Sequence, residues 1–234
     1  MTRTYAGSRQ VLIFDADDTL WENNVLFERV VDDFVEWLAH PALDNAAIRD
    51  ILADIQAANA ITHGYGSGMF IRSLGECFER LRERPATVEE RDDIDRLAIA
   101  LHDGRVELIP GVAEALHELG TRHDLLLLTK GHPIDQQRKI DVSGLAHHFS
   151  SLHIVAEKDA QVYRDLAVKL ELSTDTTWMI GNSPKSDILP ARQAGMNAVF
   201  IPNANTWVLE HADLDAGDDR VLHLSRFPEL LDHF

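Results

Sequence analysis

The sequence of 234 residues has one cysteine, no long apolar run and few basic residues. One cysteine cannot form an intramolecular disulfide, which favours a reducing compartment such as the cytoplasm. No stretch approaches the roughly 18 apolar residues of a membrane span, and no apolar segment of the signal-peptide type follows the N-terminal charges. We therefore expect a soluble, cytoplasmic protein.

The shortage of positive charge limits the partners. Lys and Arg number 22 against 39 Asp and Glu, which gives a formal net charge of −17. Such a surface repels nucleic-acid phosphates and anionic lipids, so neither nucleic acid nor a membrane is expected as a routine partner. An anionic small substrate would be repelled too, so its site would need local positive charge from a metal ion or a well-placed lysine.

Thiol and imidazole chemistry have little support in the sequence. Cys77 lies in a segment of helical apolar spacing with acidic neighbours, which favours a packed thiol over a nucleophile. The 12 histidines show no spacing typical of zinc ligands. We therefore look for the chemistry among carboxylates, hydroxyls and lysines.

The chain does have enough apolar residues, 45%, to bury a sizeable core. Short runs of β-type residues alternate with segments of helical periodicity, and the predicted strands are 10–14, 125–128, 152–155, 177–180 and 198–201. This alternation predicts an α/β fold with a doubly wound parallel sheet. Ligands bind such sheets at the carboxyl ends of the strands.

A purely helical block interrupts this alternation directly after the first strand. Residues 23–105 contain four stretches with apolar residues three and four apart, separated by turn signals. We therefore predict a catalytic core formed by 1–22 and 106–234, with 23–105 inserted as an α-helical bundle that caps the carboxyl edge of the sheet. The glycine-rich break Gly64–Gly68 suggests a hinge or substrate-facing loop, although an ordinary turn is favoured.

Polar residues follow several of the predicted strands. Asp15-Ala16-Asp17 ends the first strand, Thr129-Lys130 ends the second, Lys158 follows the third, and Gly181-Asn182 begins a segment that runs to Asp187. Because these strand ends share one edge, their side chains are expected to meet there. Phosphoryl transfer needs a nucleophile, a proton donor and positive charge around the phosphoryl oxygens, and these residue types can supply all three.

Each of these elements also has a structural interpretation when it is taken alone. Asp15 and Asp17 are two residues apart and would face the same side of a regular strand, where crowded carboxylates favour a divalent cation or a raised pKa. They are equally typical of an acidic turn or a helix cap. Thr129 and Asp187 also fit caps, and a lone Lys158 fits a solvated surface charge.

Taken together and in this order, the elements resemble the four motifs of the haloacid dehalogenase-like superfamily, over residues 10–201. The segment Phe14–Trp21 resembles its hydrolase branch in particular. The resemblance implies a Rossmann-like core with a helical cap. It implies that Asp15 attacks phosphorus and that Asp17 is the proton shuttle. The implied phosphate-binding residues are Thr129, Lys130 and Lys158, and the implied Mg²⁺ ligands are Asp15, the Asp17 carbonyl, Asp187 and Asn182.

Two positions depart from the family pattern. Asn182 stands where the family commonly has Asp, so one anionic ligand becomes a neutral amide whose oxygen can still coordinate Mg²⁺. Lys158 is followed by Asp159, whereas the family's lysine motif usually continues with proline.

The resulting prediction is a Mg²⁺-dependent phosphatase that hydrolyses a small phosphorylated metabolite, of nucleotide, sugar-phosphate or phosphoglycolate type, through a phospho-aspartate. A haloacid dehalogenase of the same fold is disfavoured, because expelling halide from carbon needs no proton donor such as Asp17. A phosphomutase stays open. A catalytically silent binding protein is favoured only by Asn182.

Overall fold

The computed structural model describes residues 7–102 and 106–234. The chain divides into two compact units. The α/β unit comprises Met1–Asn23 and Val106–Phe234, and the helical unit comprises Asn24–Arg105. That the helical unit acts as a cap stays a prediction. None of the helices within the described ranges is long and apolar enough to cross a membrane.

The α/β unit is built on a parallel sheet of six strands in the order β5-β4-β1-β6-β7-β8. A second, two-stranded antiparallel ribbon pairs β2 with β3. The strands are β1 (Val11–Phe14), β2 (Trp21–Glu22), β3 (Glu107–Leu108), β4 (Asp124–Lys130), β5 (Ser151–Val155), β6 (Thr177–Gly181), β7 (Asn197–Phe200) and β8 (Val221–His223). The predicted α/β fold with a parallel sheet is confirmed.

The sheet carries apolar residues on both faces because helices cover both sides of it. Phe14 and Trp178 belong to the core on one face, and Ile13 and Met179 belong to the core on the other. This two-sided burial explains why the strands are continuous apolar runs. The helices of this unit are α5 (Val112–Gly120), α6 (Pro133–Ser143), α7 (Ala160–Lys169) and α8 (Leu189–Gln193).

The order of the strands sets the place for a site. Within the sheet, β4 and β5 lie to one side of β1, whereas β6, β7 and β8, which come later in the chain, lie to its other side. Such a reversal of strand order opens a crevice at the carboxyl ends of the central strands. The residues that follow β1, β4 and β6 therefore lie where a ligand can bind.

The helical unit contains four α-helices in its described part, α1 (Asn24–Leu38), α2 (Asn45–His63), α3 (Ser67–Arg82) and α4 (Val88–Leu97). They enclose a separate apolar core that includes Phe34, Leu74 and Phe78. The predicted fourth helix extended to Leu101, but α4 ends at Leu97 and a 3₁₀ segment follows it. Over a single turn, apolar spacing does not distinguish the two helix types.

The ribbon of β2 and β3 was not predicted. Trp21 pairs with Leu108 and Glu22 pairs with Glu107, so the two strands bracket the helical unit in the sequence. A strand of two residues is too short to show periodicity, so sequence patterns could not reveal it. The ribbon brings the chain back to the α/β unit close to the point where it left.

Candidate active site

The centre of the candidate site is a buried lysine held by two carboxylates. Lys158 Nζ donates to Asp15 Oδ1 at 2.5 Å and to Asp187 Oδ1 at 2.8 Å. Lys158 is 3% exposed and Asp187 is fully buried. Burial alone would lower the pKa of Lys158, but the two carboxylates outweigh it and raise that pKa. The structure therefore brings together three of the predicted site residues, with the ammonium charged.

Two carboxylates against one ammonium leave an excess of negative charge in this buried volume. Burial, followed by the nearby charge of Asp15, raises the pKa of Asp187, while Lys158 opposes the rise. The Ser183 N–H also donates to Asp187 Oδ2 at 2.9 Å. A site with this charge favours a bound cation.

Asp15 extends the line of β1, and its N–H donates to the Ile180 carbonyl of β6 at 2.9 Å. Thr19 Oγ1 lies 3.1 Å from Asp15 Oδ2 and 3.2 Å from Asn182 Oδ1. The Asn182 amide nitrogen donates to Thr206 Oγ1 at 2.8 Å, so its oxygen is the atom on the Asp15 side. The amide oxygen thus lies on the same side as the Asp15 carboxylate, and its role as a cation ligand stays a prediction.

Gly181 is required for the packing of Asp187. A Cβ atom at position 181 would lie 2.1 Å from Asp187 Oδ2, so any side chain would displace the carboxylate. Asp187 itself lies within a short π-helical turn, Pro184–Ile188, that precedes α8. The sequence pattern, in which Asp187 also fits a helix cap, does not predict this type of turn. Such π turns are rare and occur frequently at functional sites.

The Asp17 carboxylate has its own set of partners. Lys139 Nζ lies 2.6 Å from Asp17 Oδ1 and 2.5 Å from Oδ2, while Gln136 Nε2 donates at 2.9 Å and Trp21 Nε1 at 2.7 Å. Burial alone would raise the pKa of Asp17, but Lys139 and these hydrogen bonds lower it. This favours the ionised carboxylate, which does not suit an acid ready to donate a proton. The role of Asp17 as a proton shuttle stays a prediction.

The backbone conformation explains why the carboxylates of Asp15 and Asp17 have different hydrogen-bond partners. The expectation that they share a face holds only on a regular strand, but β1 ends at Phe14 and a turn follows. In that turn Leu20 N–H donates to the Ala16 carbonyl, and Asp18 has a positive φ of 61°. The sequence predicts that the strand ends at residue 14, but it does not show which partners each carboxylate meets in the turn that follows.

The two residues predicted at the end of β4 have different surroundings. Thr129 is 1% exposed. Lys130 Nζ lies 2.6 Å from Glu210 Oε1, 2.8 Å from Ser186 Oγ and 3.3 Å from Glu157 Oε1. Its charge is therefore balanced by carboxylates, which favours a structural role. The predicted phosphate contacts of both residues stay predictions.

Sequence reasoning did not single out several side chains that contact the predicted residues. Gln136 and Lys139 could have been noticed, because residues three apart on a helix lie on one face. No local pattern identifies Glu210 or Thr206 as a contact of the site, because both follow β7 and lie far along the chain from the residues that they contact. These side chains include Thr19, Trp21, Gln136, Lys139, Thr206 and Glu210.

The donor set fits Mg²⁺. Over 7–102 and 106–234, no three His, Cys, Asp or Glu side chains form a cluster that could hold a metal by themselves. The available oxygens are instead the carboxylates of Asp15 and Asp187, the Asn182 amide oxygen and backbone carbonyls. Mg²⁺ is commonly held by one or two carboxylates, with waters and substrate phosphate completing the shell. A set of this composition therefore suits it.

The chain is similar in sequence and in fold to known proteins. A phosphoserine phosphatase of Thermus thermophilus is 24% identical, with 82% of this chain and 88% of that protein covered. A haloacid dehalogenase-like family hydrolase from Xanthomonas campestris has a crystal structure that matches with a TM-score of 0.80 and 27% identity, covering 96% of this chain and 95% of that one. The crystal structure of a magnesium-bound haloacid dehalogenase-like hydrolase from Bacillus subtilis matches with a TM-score of 0.68 and 16% identity. The match covers 96% of this chain and 98% of that one.

The family model for haloacid dehalogenase-like hydrolases matches residues 10–195, which include β1, the helical unit and the segment from Gly181 to Asp187. This confirms the resemblance found in the sequence and the prediction that the protein is a hydrolase. The chain belongs to the haloacid dehalogenase-like hydrolase family.

Proposed function

We propose that the protein is a Mg²⁺-dependent phosphatase that hydrolyses a small phosphate monoester through a phospho-aspartate at Asp15. The observation that carries the proposal is the buried Lys158 ammonium held between Asp15 and Asp187. It pairs with the carboxylate of the nucleophile and supplies the local positive charge that a phosphate requires in a protein with a net charge of −17.

In this scheme Asp15 attacks phosphorus while the ester P–O bond breaks and its electron pair goes to the leaving oxygen. Lys158 neutralises charge on the nucleophile and the phosphoryl oxygens. Thr19 holds the second carboxylate oxygen of Asp15 and so restricts its orientation. Asp15, Asp187, Asn182 Oδ1 and the Asp17 carbonyl would hold Mg²⁺, which when bound neutralises the charge of the transferring group. Water then hydrolyses the phospho-aspartate and restores the carboxylate.

Asp17 is the proposed proton donor to the leaving oxygen and the later base toward water. To act in this way, its carboxylate must first leave Lys139 and Gln136. The helical unit, Asn24–Arg105, is proposed to act as the cap that closes over the substrate.

The proposed substrate is a small phosphorylated metabolite in the cytoplasm. A phosphoserine phosphatase among the similar proteins supports a phosphate monoester, and the magnesium-bound fold relative supports the metal. The acidic composition argues against nucleic acid, and the single cysteine is consistent with a reducing compartment.

One observation favours a second candidate, a haloacid dehalogenase. Lys139 and Gln136 hold Asp17 as a carboxylate, and a dehalogenase needs no proton donor because halide leaves as an anion. The fold is also shared with a 2-haloacid dehalogenase of Pseudomonas syringae, at a TM-score of 0.60 and 18% identity over 96% of this chain and 97% of that one. Halide release from 2-chloropropionate distinguishes this candidate from the phosphatase.

The test uses metal-stripped protein with p-nitrophenyl phosphate, with and without MgCl₂. We expect Mg²⁺-dependent phosphate release that is abolished in Asp15→Asn. Asp165→Asn is the matched control, because Asp165 is an exposed residue of α7 whose carboxylate accepts from Gln161. Halide release without phosphate release would replace the phosphatase by the dehalogenase, and full activity of Asp15→Asn would exclude Asp15 as the nucleophile.

A further inference from the structure

Glu210 lies outside every motif that the sequence indicated, but it contacts the segment that carries two proposed metal ligands. It ends a single 3₁₀ turn, Val208–Glu210, after β7 and is 8% exposed. Glu210 Oε2 accepts from Ser183 Oγ and from Ser186 Oγ, each at 2.5 Å. Its other oxygen, Oε1, accepts from Lys130 Nζ at 2.6 Å.

Ser183 is hydrogen-bonded to Asp187, and Ser186 is its neighbour in the chain. The Ser183 N–H donates to Asp187 Oδ2, and the Ser183 carbonyl accepts from Asp187 N–H, each at 2.9 Å. Ser186 directly precedes Asp187, and its N–H donates to Ser183 Oγ at 2.9 Å. One oxygen of Glu210 therefore ties together two residues of the segment that runs from Asn182 to Asp187.

The charge of Glu210 is compensated locally. Burial alone would raise the pKa of this carboxyl, but Lys130 and the two serine hydroxyls outweigh it and lower the pKa. Glu210 is thus held as an acceptor for all three donors. Without it, the hydroxyls of Ser183 and Ser186 would lose an acceptor within a largely buried segment.

We propose that Glu210 is a positioning residue for the metal site, which holds the segment from Asn182 to Asp187, through Ser183 and Ser186, in the conformation that binds Mg²⁺. The inference rests on the proposed function, because it assumes that Asp187 and Asn182 are metal ligands. Glu210 itself need not touch the metal or the substrate. Its effect is to limit the movement of Asp187.

Glu210→Gln tests this role with little change in side-chain shape. A glutamine can present its oxygen either to the serines or to Lys130, and its NH₂ group then faces donors on the other side. We expect the segment to loosen and the Mg²⁺ dissociation constant to rise about 10- to 100-fold, as is typical when the support of a metal ligand is removed.

The measurement is calorimetric titration of metal-free protein with MgCl₂ in the absence of substrate, together with thermal unfolding of each variant. Glu229→Gln is the matched control, because Glu229 accepts from Ser225 N–H and Arg226 but has no recorded bond to the segment. We expect this control to bind Mg²⁺ like the wild type. Ser183→Ala combined with Ser186→Ala should weaken binding as Glu210→Gln does, and adding Glu210→Gln should then change little.

The outcomes separate this inference from the proposed function. A folded Glu210→Gln protein with wild-type Mg²⁺ affinity would overturn the positioning role and leave the phosphatase untouched. If Glu210→Gln does not fold, the double serine variant decides, and unchanged Mg²⁺ affinity in that variant overturns the role. Absence of Mg²⁺ binding by the wild type would overturn both the metal site and the role of Glu210.

Discussion

The Lys139 ammonium lies against both carboxylate oxygens of Asp17, at 2.6 Å from Oδ1 and 2.5 Å from Oδ2. Gln136 from the same helix and Trp21 from β2 complete the set of donors. The residue proposed to transfer protons is thus held as an anion in this structure. Catalysis by Asp17 requires that these contacts break or that a substrate replaces them.

The first prediction concerns the pH dependence of stability. Because the pKa of Asp17 is lowered on folding, its contribution to stability is present above the unfolded pKa of about 3.9 and is lost as pH falls through the folded pKa. Lys139→Met should raise the folded pKa and reduce the free energy of unfolding at pH 7 by about 1–3 kcal/mol. Thermal unfolding between pH 2 and pH 7 measures both effects.

The matched control for this experiment is Lys169→Met, because Lys169 is an exposed residue at the end of α7. It should leave the acid limb of the stability curve unchanged. Identical acid limbs for Lys139→Met and the wild type would contradict the ion pair with Asp17.

The second prediction concerns the central lysine. Lys158→Met removes the only ammonium with a recorded bond to Asp15 or Asp187 in the described residues, so their negative charges would be uncompensated. We expect kcat for phosphate release to fall about 10²- to 10³-fold, a loss typical of removing one electrostatic contact to the transition state. Steady-state kinetics measure it, and a kcat within twofold of the wild type would reject the proposed role.

The third prediction concerns Gly181. A methyl group in Gly181→Ala would meet Asp187 Oδ2 at 2.1 Å, so Asp187 must move. We expect weaker Mg²⁺ binding and a lower melting temperature. Gly75→Ala is the matched control, because its Cβ meets nothing within 4 Å inside α3, and it should stabilise the protein by about 0.5–1 kcal/mol. Equal melting temperatures for Gly181→Ala and the wild type would contradict the close packing.

The fourth prediction concerns Asn182, which stands where the family commonly has Asp. Asn182→Asp places a third carboxylate beside Asp15 and Asp187, and additional ligand charge strengthens binding of a hard cation. We expect the Mg²⁺ dissociation constant to fall several-fold, and the metal-free protein to melt at a lower temperature because like charges repel. Calorimetry and thermal unfolding with and without MgCl₂ test both effects. An unchanged Mg²⁺ affinity would argue against position 182 as a ligand.

Much of the fold was accessible from the sequence because its signals are local. Five of the six strands of the parallel sheet were predicted, since apolar runs such as Val11–Phe14 are buried on both faces. The exception, β8, has only three residues. The helical block was also visible, because its apolar stripes recur at helical spacing.

The candidate site was predicted in part. Asp15, Lys158 and Asp187 were identified from their positions after strands, and in the structure both carboxylates lie within hydrogen-bonding distance of the Lys158 ammonium. The partners of Asp17 were not identified, because Lys139 is 122 residues away along the chain. Glu210 was missed for the same reason, since no local pattern links it to Ser183.

Local patterns in the sequence predicted the alternation of strands and helices, and four ordered motifs carried the resemblance to the family. The matching of each charge depends on the tertiary structure. Lys158 joins Asp15 to Asp187, Lys139 holds Asp17, and Lys130 is directed to Glu210. Ion pairing depends on distances of a few ångströms, and folding sets these distances between residues that are far apart in the chain.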